Sequence, residues 1–525
     1  MRLRVTILAL LAFILPVSAT AATAKIDSGR LIGIEAKGVV AFEGIPFAAP
    51  PVGGLRWREP QPVTPWKGVR DATAFAPACM QLGVSMPGEP DPKTSEDCLY
   101  LNVWAPTGPR RGRLPVLVFI PGGGYTNGAT SLPLYWGDRL ARRGVVVVTL
   151  AYRLGPLGFL AHPELTAESP HNSSGNYGLM DQAAALHWVH QNIAAFGGDP
   201  NLVTISGQSA GSMSVSMLMT SPLVTGLFQR AIGESGGLFE PLQLAPQYRL
   251  SVAQRDGETY AKSIGASSLA ELRQLPAAQL LLGKAGSVSH PVIEPYVLPL
   301  SPYDAFVDGR QARIAILVGW NAEEARSLTD LSKVRAASFA QDIRKAFGPL
   351  PSALIEAYPH DDETQAVQGR ADFERDLRFG WDAWTWARLQ AAAGAPAYAY
   401  RFEQRPPFPA GSPRAGWGAS HFAELWYVFD HLDQESWNWT PADRRLADQI
   451  SGYWVNFART GDPNGPGLPT WPRFQPTDGA VMRLKNPPAA GPPPELATLK
   501  IFDDVYAQLR GAPFGAPKGP YTNRR

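Results

Sequence analysis

This sequence predicts an α/β fold, a central sheet with helices on both faces. Three observations predict it. Pro115–Ile120 and Val145–Ala151 are near-continuous apolar runs rich in β-branched residues, the composition of strands covered on both sides. Asp181–Ala195 and Ala442–Ala458 carry apolar residues at helical spacing. Val203–Ile205 is a short β-branched stretch that passes through a glycine–serine turn into a helix-forming segment, Ala210–Thr220. Buried strands alternating with helices pack as layers around one sheet.

In chain order, Arg2 and Arg4 open a basic start and Val5–Leu15 is almost wholly apolar. Pro16 then breaks the run, and small residues lead to Ala22-Thr23-Ala24. That is the pattern of a cleaved export signal over residues 1–24, too short to span a bilayer. One mature domain, residues 25–525, is expected to follow, exported to the periplasm or secreted, with no stable membrane anchor. Leu31–Ile34 and Val39–Phe42 read as an N-terminal hairpin before the turns at Gly44-Ile45-Pro46 and Pro50-Pro51. Cys79 and Cys98 are the two cysteines. In an exported chain, two cysteines close in sequence are expected to form one disulfide, pinning a Pro-, Gly- and Asp-rich lobe at its base. Leu99–Trp104, Ile314–Val318 and Ala397–Phe402 read as further strands. The rest of Pro299–Ala392 is more helical and irregular, the composition of a cap beside a site. The tail after Asn486 is rich in Pro and Gly and reads as partly ordered.

Composition narrows the function classes. Hydrophobic residues make up 45% and charged residues 18% of the 525, so the chain buries a large core. With 48 basic and 46 acidic residues the net charge is +2, and no charge run stands out. Nothing there favours nucleic acid. A small-molecule substrate is the expected partner; oligomeric state is not legible.

The chemistry centres on Gly207-Gln208-Ser209-Ala210-Gly211. A serine on a sharp strand-to-helix turn has its hydroxyl pushed clear of the sheet. Side chains at Gly207 or Gly211 would collide with neighbouring backbone. The helix start points at Ser209, and the Ala210 N–H is placed to bind an oxyanion. Pro121-Gly122-Gly123-Gly124-Tyr125 follows directly on the Pro115–Ile120 strand. Its glycines let backbone N–H groups converge on one point.

A serine hydroxyl needs a base, a group to orient that base, and oxyanion donors. Of eight histidines, His421 and His431 come late enough in the chain. The small residues around His421 favour it, and His431 reads as surface. His187 and His190 belong to the helix before the serine and read as its outer face or packing. The acid follows the Ile314–Val318 strand, where Glu323 and Glu324 both qualify; spacing does not choose between them. Leu238, Phe239, Trp320 and Phe422 are candidate pocket walls.

At this point the chain resembles the type-B carboxylesterase family, which includes cholinesterases, bile-salt-type lipases and bacterial carboxylesterases. The resemblance covers nearly all of the mature chain. It rests on Phe42-Glu43-Gly44-Ile45-Pro46-Phe47-Ala48, Ser95-Glu96-Asp97-Cys98-Leu99-Tyr100-Leu101-Asn102, Asn176–Gln182 and Phe196-Gly197-Gly198-Asp199-Pro200, besides the serine motif. It implies an α/β-hydrolase fold with a large, mostly parallel central sheet, and Ser209 as nucleophile, His421 as base and Glu324 as acid. It further implies an oxyanion hole of Gly123, Gly124 and Ala210, a Cys79–Cys98 disulfide and an Arg56–Glu96 ion pair. The implied activity is ester hydrolysis through an acyl-enzyme, with no metal or organic cofactor. A lipase, or an amidase or carbamate hydrolase, would use the same triad. A non-catalytic relative would have lost the nucleophile, which stands here.

Three departures stand out. Pro121 occupies a place commonly taken by His or Tyr, and the neutral Gln208 stands where cholinesterases have Glu. The lobe between the cysteines has no Trp. The last two remove features that would hold a quaternary ammonium, so choline esters are not expected substrates. Glu323 and Ala325 stand where Asp and Gly are usual in the acid motif.

Overall fold

The computed structural model describes residues 20–517, except 84, 85, 87, 88, 110, 477 and 478. Twelve strands run in one path: β1 (Thr20–Ile26), β2 (Gly29–Ala36), β3 (Val39–Pro46), β4 (Tyr100–Pro106), β5 (Leu114–Ile120), β6 (Val146–Leu150), β7 (Gly198–Gln208), β8 (Arg230–Glu234), β9 (Ala315–Asn321), β10 (Ala397–Phe402), β11 (Val481–Leu484) and β12 (Ala489–Gly491). Their spatial order is β1-β2-β3-β4-β6-β5-β7-β8-β9-β10-β11-β12, and a short strand, Val69–Asp71, pairs with β2 as the thirteenth. From β6 through β11 every neighbouring pair is parallel; both flanks are antiparallel.

Parallel strands need crossovers, and the crossovers cover both faces. Along β5 the apolar run therefore serves two cores by alternation. Val116, Val118 and Ile120 face one cluster, and Leu117 and Phe119 face the other. All five are at most 1% exposed, and each such burial contributes about 1.5–3 kcal/mol. The helices that place the site are α1 (Tyr177–Asn192), α2 (Ala210–Leu218), α3 (Glu363–Arg375), α4 (Trp381–Ala392), α5 (Pro441–Thr460) and α6 (Leu496–Arg510). Helix α5 begins with a Thr440–Asp443 capping box and ends at Gly461, whose φ of 81° only glycine adopts freely.

Most expected elements are present, with ends shifted by a few residues. The hairpin is β2–β3, with Ile34 opposite Ala41. Cys79 and Cys98 are bonded, and Arg56 pairs with Glu96 at 2.7 Å. His187 and His190 are exposed. Strand β8 was not legible. It is five residues long with charges at both ends, and Gly233 reads as a turn residue. That glycine is required because a Cβ there would lie 2.4 Å from the Trp386 ring of α4. The tail after Asn486 holds α6, a helix of fifteen residues whose Leu499, Phe502 and Tyr506 are buried. Of the expected signal, residues 1–19 lie outside the described residues. Thr20–Ala24 are part of β1, so a boundary at Lys25 falls inside a strand.

Candidate active site

Four loops leave the C-terminal ends of β5, β7, β9 and β10 and converge, as ligand sites do in parallel sheets. Ser209 ends β7. Its backbone is strained, with φ 58° and ψ −124°, and its N–H donates to the Glu234 carbonyl at 2.8 Å. A Cβ on Gly207 would come within 2.4 Å of Gly211 backbone, and one on Gly211 within 2.0 Å of the Ile120 carbonyl oxygen. The turn therefore closes only on glycine at both places. Ser209 is 9% exposed and opens into a cavity of about 800 Å³.

The glycine loop after β5 forms one wall of that cavity. Gly123 has φ 117°, and a Cβ there would sit 2.1 Å from the Asn127 carbonyl oxygen. Its own carbonyl is held by the N–H groups of Thr126 and Asn127 at 3.0 and 3.1 Å. Gly124 and Ala210 line the same cavity beside Ser209. Ala210 is the first residue of α2, so its N–H has no acceptor within the helix.

His421 and Glu324 meet beneath the cavity. His421 Nδ1 lies 2.6 Å from Glu324 Oε2, and the two residues are 2% and 0% exposed. The second oxygen, Glu324 Oε1, accepts the Asn321 N–H at 2.7 Å. Asn321 Nδ2 in turn donates to the Ser420 carbonyl at 2.7 Å and to Glu424 Oε2. The carboxylate is thus fixed at both oxygens. Glu323 points elsewhere. It pairs with Arg326 at 2.9 Å and Arg405 at 2.8 Å and accepts the Ala419 N–H. Of the two glutamates, Glu324 is the one in contact with His421.

The imidazole is held on its other sides as well. Phe379 stacks on it at 4.5 Å and Phe422 meets it edge-on at 4.4 Å. Gln208, fully buried, places its Nε2 3.2 Å from His421 Nε2. An amide N–H donated there keeps Nε2 as an acceptor and the ring proton on Nδ1. Neither Phe379 nor the Gln208 contact was legible, because each depends on chain segments remote in sequence.

Near His421 and Glu324 lies a layer of buried carboxyls. Burial pushes Glu234 up to about 7, against hydrogen bonds from Trp454 and Ser206 that pull it down. Burial, and then the charges of Glu234 and Glu324, hold Glu424 well above the usual carboxylate range.

Several expectations are corrected. Phe422 lines the cavity, whereas Leu238, Phe239 and Trp320 do not. Phe239 packs on Phe306 and Trp386, and Trp320 donates its Nε1 to Glu495 at 2.6 Å in the core. His431 is not surface. It is fully buried and bound through Nε2 to Asp138 at 3.1 Å. The cap is present in part. Phe347, Leu350 and Leu377 line the cavity, but α4 packs on β9 and β10. No group of three or more metal-ligating side chains occurs among the described residues. No helix among them is long and apolar enough to cross a membrane.

The geometry matches what comparison with known proteins finds. The carboxylesterase family model matches residues 20–497. The chain is 38% identical over 481 residues to the fumonisin B1 esterase of Sphingopyxis macrogoltabida, covering 89% of this chain and 86% of that protein. It is 36% identical over 472 residues to the para-nitrobenzyl esterase of Bacillus subtilis (strain 168), covering 85% and 91%. A solved structure of a PNB esterase superposes with a TM-score of 0.79 at 34% identity, over 92% of this chain and all of that one. An α/β-hydrolase sheet, a serine on a glycine-flanked turn and this breadth of likeness lead to one conclusion: the chain belongs to the carboxylesterase family and is a serine carboxylic-ester hydrolase.

Proposed function

We propose that hydrolysis proceeds by two-step acyl transfer with Ser209 as nucleophile, His421 as general base and Glu324 as its orienting acid. The observation that carries this reading is the 2.6 Å contact between His421 Nδ1 and Glu324 under a cavity that Ser209 shares. Ser209 Oγ attacks the ester carbonyl carbon as its proton passes to His421 Nε2. Glu324 holds the Nδ1 proton and stabilises the imidazolium. The carbonyl oxygen, now negative, takes N–H groups of Gly123, Gly124 and Ala210, and loss of one such donor costs on the order of 3 kcal/mol. The C–O bond to the alcohol breaks as His421 returns the proton to it. Water then attacks the acyl-enzyme by the same path, with His421 again as base.

We further propose that the protein is exported, periplasmic or secreted. The Arg-led apolar start and the Cys79–Cys98 bond support this.

The test is hydrolysis of p-nitrophenyl esters from acetate to palmitate by the protein and by Ser209→Ala. Activity should peak at short acyl chains and fall by at least about 10⁴-fold in the variant. A long-chain optimum would move the reading to lipase. Full activity in Ser209→Ala would remove Ser209 from the mechanism.

A further inference from the structure

On the assignment of Ser209's cavity as the ester site, we propose that Glu240 and Asp382 form a subsite in it for a positively charged nitrogen. The preferred substrate is then an ester whose acyl or alcohol part carries a primary ammonium group.

Both residues line the cavity together with Ser209, Ala210 and Met213. Glu240 arrives from the loop after β8. Asp382 sits in the first turn of α4, just past a π-helical turn at Asp376–Gly380. Such a turn inserts an extra residue and re-aims the side chains after it, and it recurs at functional sites. Here Leu377, Arg378, Phe379 and Asp382 all reach the cavity wall. Asp382 is 4% exposed, so the carboxyl is almost wholly inside the protein yet faces the space where the ester goes.

The wall carries two carboxyls without a paired cation. Neither has a Lys, Arg or His nitrogen within 4.0 Å among the described residues. The basic side chains on the wall have other partners. Arg378 is paired with Glu374 at 3.0 Å, His421 with Glu324 at 2.6 Å, and His290 bonds to backbone carbonyls at 3.1 and 3.2 Å. The cation behind the pair is Arg510, which lies 3.5 Å over the Tyr303 ring and donates to the Phe239 carbonyl. It draws both carboxyls down from a distance; the Tyr248 hydroxyl bonds Glu240, and the Phe239 backbone N–H bonds Asp382. Burial, and for Asp382 the neighbouring Glu240, outweigh these and hold both above the usual range.

Two neighbouring carboxyls in a poorly hydrated wall cannot both ionise at small cost. An ammonium entering between them changes that. One carboxylic acid gives its proton to solvent, and the resulting carboxylate accepts charge-assisted N–H bonds, so the net charge of the site is conserved. A primary ammonium offers three such donors and a quaternary one none. An alkyl chain in the same place would desolvate both carboxyls further and bring no donor to them. Met213, Leu244 and Leu350 elsewhere on the wall suit an alkyl linker.

The test compares isosteric ester pairs on the full-length protein: p-nitrophenyl 6-aminohexanoate against heptanoate, and 6-aminohexyl acetate against heptyl acetate. In at least one pair kcat/KM should favour the ammonium ester by about tenfold or more, and Glu240→Gln and Asp382→Asn should each collapse that ratio about tenfold. A second readout needs no variant. Hexylammonium should inhibit p-nitrophenyl acetate hydrolysis competitively, at concentrations about tenfold below hexanol and below hexyltrimethylammonium. Equal or reversed preference in both pairs, or equal inhibition by the three compounds, overturns the subsite. No hydrolysis of any of the esters would instead overturn the ester-site assignment on which the subsite depends.

Discussion

Two groups of acids flank the imidazole, and they differ in what they face. Beneath it, Glu234, Glu324 and Glu424 are fully buried and enclosed by protein, with at least one oxygen of each bound by a fixed donor and the second oxygens of Glu234 and Glu424 left without a partner. Trp454 and Ser206 serve Glu234, Asn321 and His421 serve Glu324, and the Asn321 amide serves Glu424. Across the cavity, Glu240 and Asp382 face open space with no cation at pairing distance. An acid whose donors come from the fold holds geometry. An acid that faces open space with no paired cation can take one from a ligand. Burial alone does not separate the two, since Asp382 is nearly as buried as Glu324.

The largest test of this contrast is at Glu324. Glu324→Gln keeps the shape and can keep the Asn321 N–H, but an amide has no charge to stabilise the imidazolium. Its NH₂ can also drive the ring proton from Nδ1 to Nε2. We expect kcat to fall by about 10³–10⁴-fold with the fold intact, measured on a short-chain p-nitrophenyl ester beside a thermal melt. A loss under about tenfold would put Glu324 with the structural acids.

How much of this was legible depends on the range of the interactions. The turn around Ser209 could be read because much of its constraint is local: Gly207 and Gly211 are four residues apart, and a Cβ on Gly207 would meet the Gly211 backbone, although the clash at Gly211 is with the distant Ile120 carbonyl. Strands β5 and β6 could be read because both faces are buried, which leaves an unbroken apolar run. Strand β8 could not, because the reason for Gly233 is Trp386, more than a hundred residues later. Phe239 and Trp320 were misplaced for the same reason: an aromatic residue near a site motif looks alike whether it faces the core or the cavity. Spacing did not choose between Glu323 and Glu324, and the expectation of Glu324 came from the resemblance alone; the contacts that separate them are Arg405, remote in sequence, drawing Glu323 away, and the Asn321 N–H holding a Glu324 oxygen.

A smaller effect is expected at Glu234, and it is one of pH. Its folded pKa is raised from 4.5 to about 7, so between those values the folded chain holds a proton that the unfolded chain has lost. Stability from this group is therefore fully present below about pH 4.5 and is lost as pH rises through about 7. The shift corresponds to about 3 kcal/mol at most. Glu234→Gln mimics the protonated acid toward Trp454 and Ser206. It should flatten the fall in unfolding free energy between pH 5 and 8, as read from urea melts. A slope unchanged in the variant would assign the pH dependence to other groups.

The smallest effect sharpens the comparison most. Glu424 is held well above the usual range by burial and by the charges of Glu234 and Glu324, which favours its uncharged form. Its contact, the Asn321 amide, is one that a glutamine oxygen accepts equally well. Glu424→Gln should therefore change kcat/KM by less than about threefold, because neither the charge nor the acceptor is altered. Glu424→Ala leaves the Asn321 amide without one partner and a void behind His421, and should destabilise the fold by about 2–3 kcal/mol. The pair of variants separates two roles that burial hides. If glutamine costs as much activity as alanine, the carboxyl beneath the triad is charged when His421 works, and the acids there act on the imidazole by field rather than by shape.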